Sequence, residues 1–224
     1  MRKGISFFSG CGGSSLGYNL AGVKILYANE FIPKAYETYK ANFPDTYMDT
    51  RDIRKIQPNE ILDIIKLKKG ELDFLDGSPP CASFSTAGKR EKGWGKVKSY
   101  SDTTQRTDDL FYEYIRMVKH IEPKIFIAEN VRGLIMGKSK GYFNLFLREF
   151  KKLNYNISAS LLDASYLEVP QMRKRVFIIG VRKDLNKKPV FPKKQKRQIV
   201  KEIYEKNYPV EPEAEHLPKS YLKY

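Results

Sequence analysis

Short apolar runs and stretches with a helical spacing of apolar residues alternate along the chain as far as about residue 181. The runs Ile5 to Phe8, Val23 to Ala28, Thr46 to Met48, Leu72 to Leu75, Ile125 to Ala128, Asn156 to Leu162 and Val176 to Gly180 have the length and β-branched or aromatic content of buried strands. Between them, Ser14 to Ala21, Ala35 to Phe43, Asn59 to Leu67 and Tyr142 to Leu153 read as helices, the second closed by Pro44. A further helix starts at Asp108 and Asp109 and runs to about His120, with Leu110, Tyr114, Ile115 and Val118 on one face. Strands alternating with helices predict an α/β fold, a Rossmann-like doubly wound domain with a parallel sheet. Residues 89 to 106 have no period and read as a loop; from Arg182 onward the pattern dissolves. The organisation expected is one domain over 1–181, followed at 182–224 by a basic tail or the start of a further region.

In such sheets ligands sit beyond the carboxyl ends of the strands, so the residues there are the candidates for function. The first strand runs directly into Gly10-Cys11-Gly12-Gly13 and a helix, a turn that lets the backbone approach a ligand and aims helix N–H groups at it, or simply a tight turn. The second strand ends at Glu30-Phe31, an acid placed to hold ribose hydroxyls beside a flat face for a purine. Asp52-Ile53 follow the third strand, and Asp52 reads equally as a helix N-cap. The fourth strand ends in Asp76, then Gly77-Ser78-Pro79-Pro80-Cys81; the two prolines stiffen the backbone that presents the thiol. A buried apolar cysteine is the plainer reading of Cys81, but its position favours a nucleophile. The fifth strand delivers Glu129-Asn130-Val131 to the same edge, a carboxyl suited to proton donation. Arg173 and Arg175, two apart in an extended stretch, point to one side and could face a nucleotide together.

The formal charge of +15 implies a polyanionic partner. Residues 81 to 106 hold six basic and two acidic side chains beside Cys81, a loop suited to closing over a phosphate backbone. Cys11 and Cys81 make neither a disulfide framework nor a Cys-x-x-Cys pair, and no metal is expected. No apolar run approaches a membrane span or a signal sequence, which together with the thiols fits a reducing cytoplasm. His120 and His216 lie at a helix end and in the tail, so a Cys-His protease pairing has no support, and there is no P-loop lysine motif.

Pro79-Pro80-Cys81 followed by Phe84-Ser85-x-Ala87-Gly88 resembles the nucleophile loop of the DNA (cytosine-5) methyltransferases. Phe8-Ser9-Gly10-Cys11-Gly12-Gly13, Glu30, Asp52, Glu129-Asn130-Val131 and Gln171-x-Arg173-x-Arg175 occur in that family's order over roughly residues 4 to 181. The resemblance implies transfer of a methyl group from S-adenosylmethionine to C5 of a flipped cytosine through a covalent adduct on Cys81, within a restriction-modification system. It implies Glu129 on N3 and the exocyclic amine, Arg175 on O2 and Arg173 in support. It places the cofactor at Phe8, Gly10, Cys11, Gly12, Gly13, Glu30, Phe31, Asp52, Ile53, Asp76, Pro79 and Leu110. Double-stranded DNA would meet Ser83, Ser85, Lys89, Arg90, Lys92, Lys96 and Lys98, in a bacterial or phage-encoded cytoplasmic protein associated with the nucleoid. Ala82 stands where the family usually has Gln, and Arg51 where it has Gly. The family's target-recognition region and closing motifs do not follow, so a second chain, or a longer gene, is expected to supply them. The alternatives are a non-catalytic remnant or regulatory DNA-binding module of the same fold, and a tRNA cytosine-5 methyltransferase.

Overall fold

The computed structural model describes residues 1–80, 98–100, 103–105, 109–137 and 139–200. Seven strands form one mixed sheet in the order β3-β2-β1-β4-β7-β9-β8. The strands are β1 (Arg2–Phe7), β2 (Val23–Asn29), β3 (Tyr47–Asp49), β4 (Phe74–Gly77), β7 (Ile125–Val131), β8 (Tyr155–Asp163) and β9 (Lys174–Arg182). A separate two-stranded antiparallel ribbon pairs β5 (Lys98–Tyr100) with β6 (Thr103–Gln105). It occupies part of the stretch read from the sequence as a loop, because three-residue strands are too short to show a period of two. Strands β1, β2, β3, β4 and β7 pair in parallel, whereas β9 runs antiparallel to β7.

The helices are α1 (Gly13–Leu20), α2 (Pro33–Asn42), α3 (Pro58–Ile65), α4 (Leu110–Ile121) and α5 (Ser139–Lys151). Alternation along the strands sends successive side chains to two different layers. Leu75, Phe126 and Ala128 join the cluster that contains Ile61, Tyr114 and Phe150 from α3, α4 and α5. Phe74, Ile125 and Ile127 pack on the other side with Tyr18 of α1. Both faces of the central strands are therefore covered, which is why Phe74-Leu75 of β4 and Ile125 to Ala128 of β7 are apolar on both sides, with the polar residues Asp76, Glu129 and Asn130 confined to their carboxyl ends. Aromatic rings fill the larger layer, with Phe111 stacked on Phe146 at 3.9 Å and Phe126 on Phe150 at 4.6 Å between centroids.

Two glycines are demanded by close approach. Gly12 lies at φ 94°, and a Cβ there would meet the Phe43 ring at 2.4 Å, so it alone lets the turn before α1 pass under α2. Gly77 closes β4 against Tyr114, whose ring would be 2.2 Å from a Cβ and whose hydroxyl is fixed on the carbonyls of Ile127 and Leu75. Because Tyr114 cannot swing away, Gly77→Ala is expected to destabilise the protein by roughly 1–3 kcal/mol, read from the midpoint of urea denaturation.

The described residues divide into two compact units, those within Met1–Leu161 and Arg175–Val190, and those of Leu162–Lys174 with residues 191–200. In the first unit β9 continues to Arg182, and Lys183 N–H bonds the Asn154 carbonyl at 3.1 Å. In the second unit Asp163 caps the turn Ala164–Tyr166, and the backbone N–H groups of Gln195 and Gln198 reach Tyr166 and Ser165 carbonyls at 2.8 Å.

Candidate active site

The connection after β3 crosses to the far side of β1, where β4 lies, so the strand order reverses between β1 and its two neighbours. A crevice opens at such a switch point because the chains leaving adjacent strands diverge. Here the crevice is a cleft of about 150 Å³, lined by Phe8, Asn29, Glu30, Phe31, Ile32, Asp52, Ile53, Ser78, Pro80 and Leu110. Its walls are apolar and its polar side chains include two acids, with no Lys or Arg among the described lining residues.

Glu30 organises the near end. One carboxylate oxygen accepts the N–H groups of Phe31 and Ile32 at 2.9 Å, and the other accepts that of Gly10 at 2.8 Å. The acid thereby ties the glycine turn to the end of β2. Phe8 enters that turn with φ 54°, a left-handed conformation unusual for a bulky residue, held by the register of β1 and the Ser9 N–H on Asn29. Asp52 caps the short 3-10 turn Ile53–Lys55, accepting the Arg54 N–H at 2.9 Å, and its side chain also lines the cleft.

Of the residues expected around a cofactor, Phe8, Glu30, Phe31, Asp52, Ile53 and Leu110 line this cleft. Gly10, Cys11, Gly12 and Gly13 form the adjoining turn and the start of α1, where Cys11 is exposed. Pro79 is turned to Asn130, and its neighbour Pro80 takes the lining position. Asp76 lies beneath, 2 % exposed, with its oxygens engaged by the hydroxyls of Tyr18 at 2.9 Å and Ser6 at 3.2 Å. Burial, against hydrogen bonds from Tyr18, Ser14 and Ser6, pushes its carboxyl up to about 6. Asn29, Ile32, Ser78 and Pro80 were not anticipated; their signal was adjacency to Glu30 and Cys81 at strand ends.

The second cluster lies at the end of β7. Register sets Gly77 opposite Ala128 and Val131 opposite Arg175, so the antiparallel β9 brings an arginine to the edge where the parallel strands end. Arg175 Nε meets Glu129 Oε1 at 3.0 Å, both side chains about a quarter exposed. Buried Asn130 donates from Nδ2 to the Pro79 carbonyl at 3.2 Å while its Oδ1 accepts the Val131 N–H at 2.8 Å. This amide fastens the Pro79-Pro80 turn to β7, a role the sequence did not reveal. Arg173 belongs to the second unit, where its carbonyl accepts the Ala164 N–H. Cys81, Ser83, Ser85, Lys89, Arg90, Lys92 and Lys96 lie outside the described residues, and Lys98 is placed only as the first residue of β5.

Fold and site together define a Rossmann-like domain of the S-adenosylmethionine-dependent methyltransferase kind. The chain belongs to the C-5 cytosine-specific DNA methylases, whose family model matches residues 2–223. It is 39% identical over 191 residues to the type II methyltransferase M.NgoPII of Neisseria gonorrhoeae, covering 85% of this chain and 51% of that protein. M.FnuDI of Fusobacterium nucleatum is 38% identical, over 82% of this chain and 48% of its own. The chain thus spans about half the length of these curated relatives. Among solved structures, a prophage-encoded E. coli protein assigned as a DNA modification methyltransferase superposes with a TM-score of 0.73 at 28% identity, covering 91% of this chain and 54% of that one. A mutant DNMT2 of Spodoptera frugiperda gives 0.67 at 25%, covering 88% and 57%.

Proposed function

We propose that the protein transfers a methyl group from S-adenosylmethionine to C5 of a cytosine rotated out of double-stranded DNA, as part of a restriction-modification system. The observation that carries this reading is one sheet edge with two stations, an acid-lined cleft and the Glu129–Arg175 pair, on either side in strand order of the loop that leads to Cys81. A cleft with acids and no described cation suits a nucleoside bearing a positive sulfonium and disfavours a polyphosphate. Apolar walls from Phe31, Ile53 and Leu110 would take the purine, Glu30 the ribose hydroxyls and Asp52 the purine amino group. When bound, S-adenosylmethionine supplies the methyl group as an electrophile.

At the other station the thiolate of Cys81 adds to C6 of the cytosine, and the electron pair released makes C5 nucleophilic. Glu129 donates a proton toward N3 as that negative charge develops, and Arg175 holds O2 beside it. Arg173 supports this end. Once C5 is methylated, loss of its proton to solvent and departure of the thiolate restore the aromatic ring. Ser83, Ser85 and the lysines and arginine from Lys89 to Lys98 contact phosphates.

The test is a trap. Duplex DNA carrying 5-fluorocytosine in its targets is expected to stay bound to the protein through denaturing electrophoresis when S-adenosylmethionine is present, because the fluorine cannot leave as the proton does. The assay is run with the protein alone and with the product of the neighbouring reading frame. Cys81→Ser should abolish the adduct while leaving S-adenosylhomocysteine binding unchanged. An adduct that maps to Cys11 would overturn the assignment.

A further inference from the structure

From the side chains around the cleft we infer that Arg54, which does not itself line it, is a positioning residue that makes the site selective for a 6-aminopurine. The inference deepens the cofactor reading above and rests on it. Arg54 follows two residues that line the cleft, Asp52 and Ile53, and its guanidinium reaches two carboxylates at once. Nη1 meets Asp52 Oδ2 at 2.7 Å. Nε and Nη2 form a fork on Asp109, at 3.0 Å to Oδ2 and 2.6 Å to Oδ1. Asp109 is the residue before Leu110, which lines the cleft from the start of α4. One planar group therefore ties the Asp52-Ile53 wall to the Leu110 wall, at a side chain 26% exposed.

The tie also fixes which way Asp52 faces. Its Oδ1 takes the Arg54 backbone N–H and its Oδ2 the Arg54 guanidinium, so the carboxylate plane is set from two directions. A carboxylate is an acceptor only. Held so, it rewards a ligand edge that presents an N–H donor and repels one that presents a carbonyl oxygen. A short Asp side chain capping a turn through Oδ1 alone can rotate to show solvent or its own backbone to the ligand; the guanidinium removes that freedom. The 6-amino group of adenine fits this demand and the 6-oxo group of hypoxanthine does not.

The turn has a second fastening that does not use Arg54. Arg116 of α4 donates from Nη2 to the carbonyls of Ile53 and Ile56 at 2.9 and 3.1 Å, an independent fastening of the same turn to the same helix. Ile53 and Ile56 are themselves buried in the core.

The experiment compares the binding of S-adenosylhomocysteine and its 6-oxo analogue, S-inosylhomocysteine, by isothermal titration to the parent chain, Arg54→Gln and Arg54→Lys. Arg54→Gln is expected to weaken the adenosyl ligand about 10-fold and the inosyl ligand hardly at all, collapsing the preference between them. Arg54→Lys, a point charge without the fork, should recover only part of it. Equal weakening of both ligands would show a merely structural role and overturn the proposal, as would an unchanged preference. Binding of neither ligand by the parent chain would instead remove the cofactor reading beneath it.

Discussion

Glu129→Gln is expected to lower methyl transfer by about 100- to 10,000-fold while leaving fold and cofactor affinity intact. The amide keeps the volume and planarity of the carboxyl, and the backbone around it is fixed by the pairing of Glu129 with Phe177 and of Val131 with Arg175. What disappears is the charge that meets Arg175 Nε at 3.0 Å in the free protein and, on the proposed mechanism, the proton that the carboxyl takes up with the bound base and offers to its ring. That ion pair is partly solvated, so its loss costs less than about 1 kcal/mol of stability, too little to explain a large fall in rate. Glu129 is not among the residues lining the acid-lined cleft, so titration with S-adenosylhomocysteine should give the parental affinity. Initial rates of labelled methyl incorporation check the first half of the expectation. A variant within a few-fold of the parental rate would remove Glu129 from the chemistry.

The largest expected effect on stability is at Asp76. Its carboxyl is fully buried, and burial outweighs the hydroxyl donors Tyr18, Ser14 and Ser6 to bring it from 3.8 to about 6 in the folded protein. The folded state thus holds a proton that the unfolded chain releases. The stabilisation from that proton is complete below pH 3.8, and it is lost as the pH rises through about 6. The difference corresponds to about 3 kcal/mol. Asp76→Asn, which does not titrate, should therefore gain on the parent by about that amount between pH 4 and pH 7, measured as the change in urea-unfolding free energy at each pH. Comparing variant and parent at each pH cancels the titration of every other group. A difference that stays flat with pH would mean that the Asp76 carboxyl titrates alike in the folded and unfolded chain.

Asp76 and Asp52 show where reading the sequence stopped. Both are acids beyond or at strand ends, and the family resemblance made each a candidate for the cofactor. In the folded chain Asp52 lines the cleft, while Asp76 turns under β1 to Ser6 and Tyr18, residues 70 and 58 positions away in sequence. Strand ends are local and legible; the direction in which a side chain leaves one is decided by which strand lies beside it. Asn130 is similar. It was visible next to Glu129, but its hold on Pro79 spans 51 residues. Arg54 gave no sign at all, since its partner Asp109 is 55 residues on.

The sequence by itself determined the alternation of strands and helices, the glycine turn, the acids after β2 and β3, the stiff proline turn before Cys81 and the family resemblance. All of these are fixed by neighbours within a few residues, where backbone sterics and apolar period act directly. The short β5–β6 ribbon escaped it, being below the length at which a period can be recognised. Only the tertiary structure decided that β9 runs antiparallel to β7, and through that reversal that Arg175 stands against Glu129. Strand direction and order are set by how two layers of helices bury both faces of one sheet, a property of the packed whole that no local window contains.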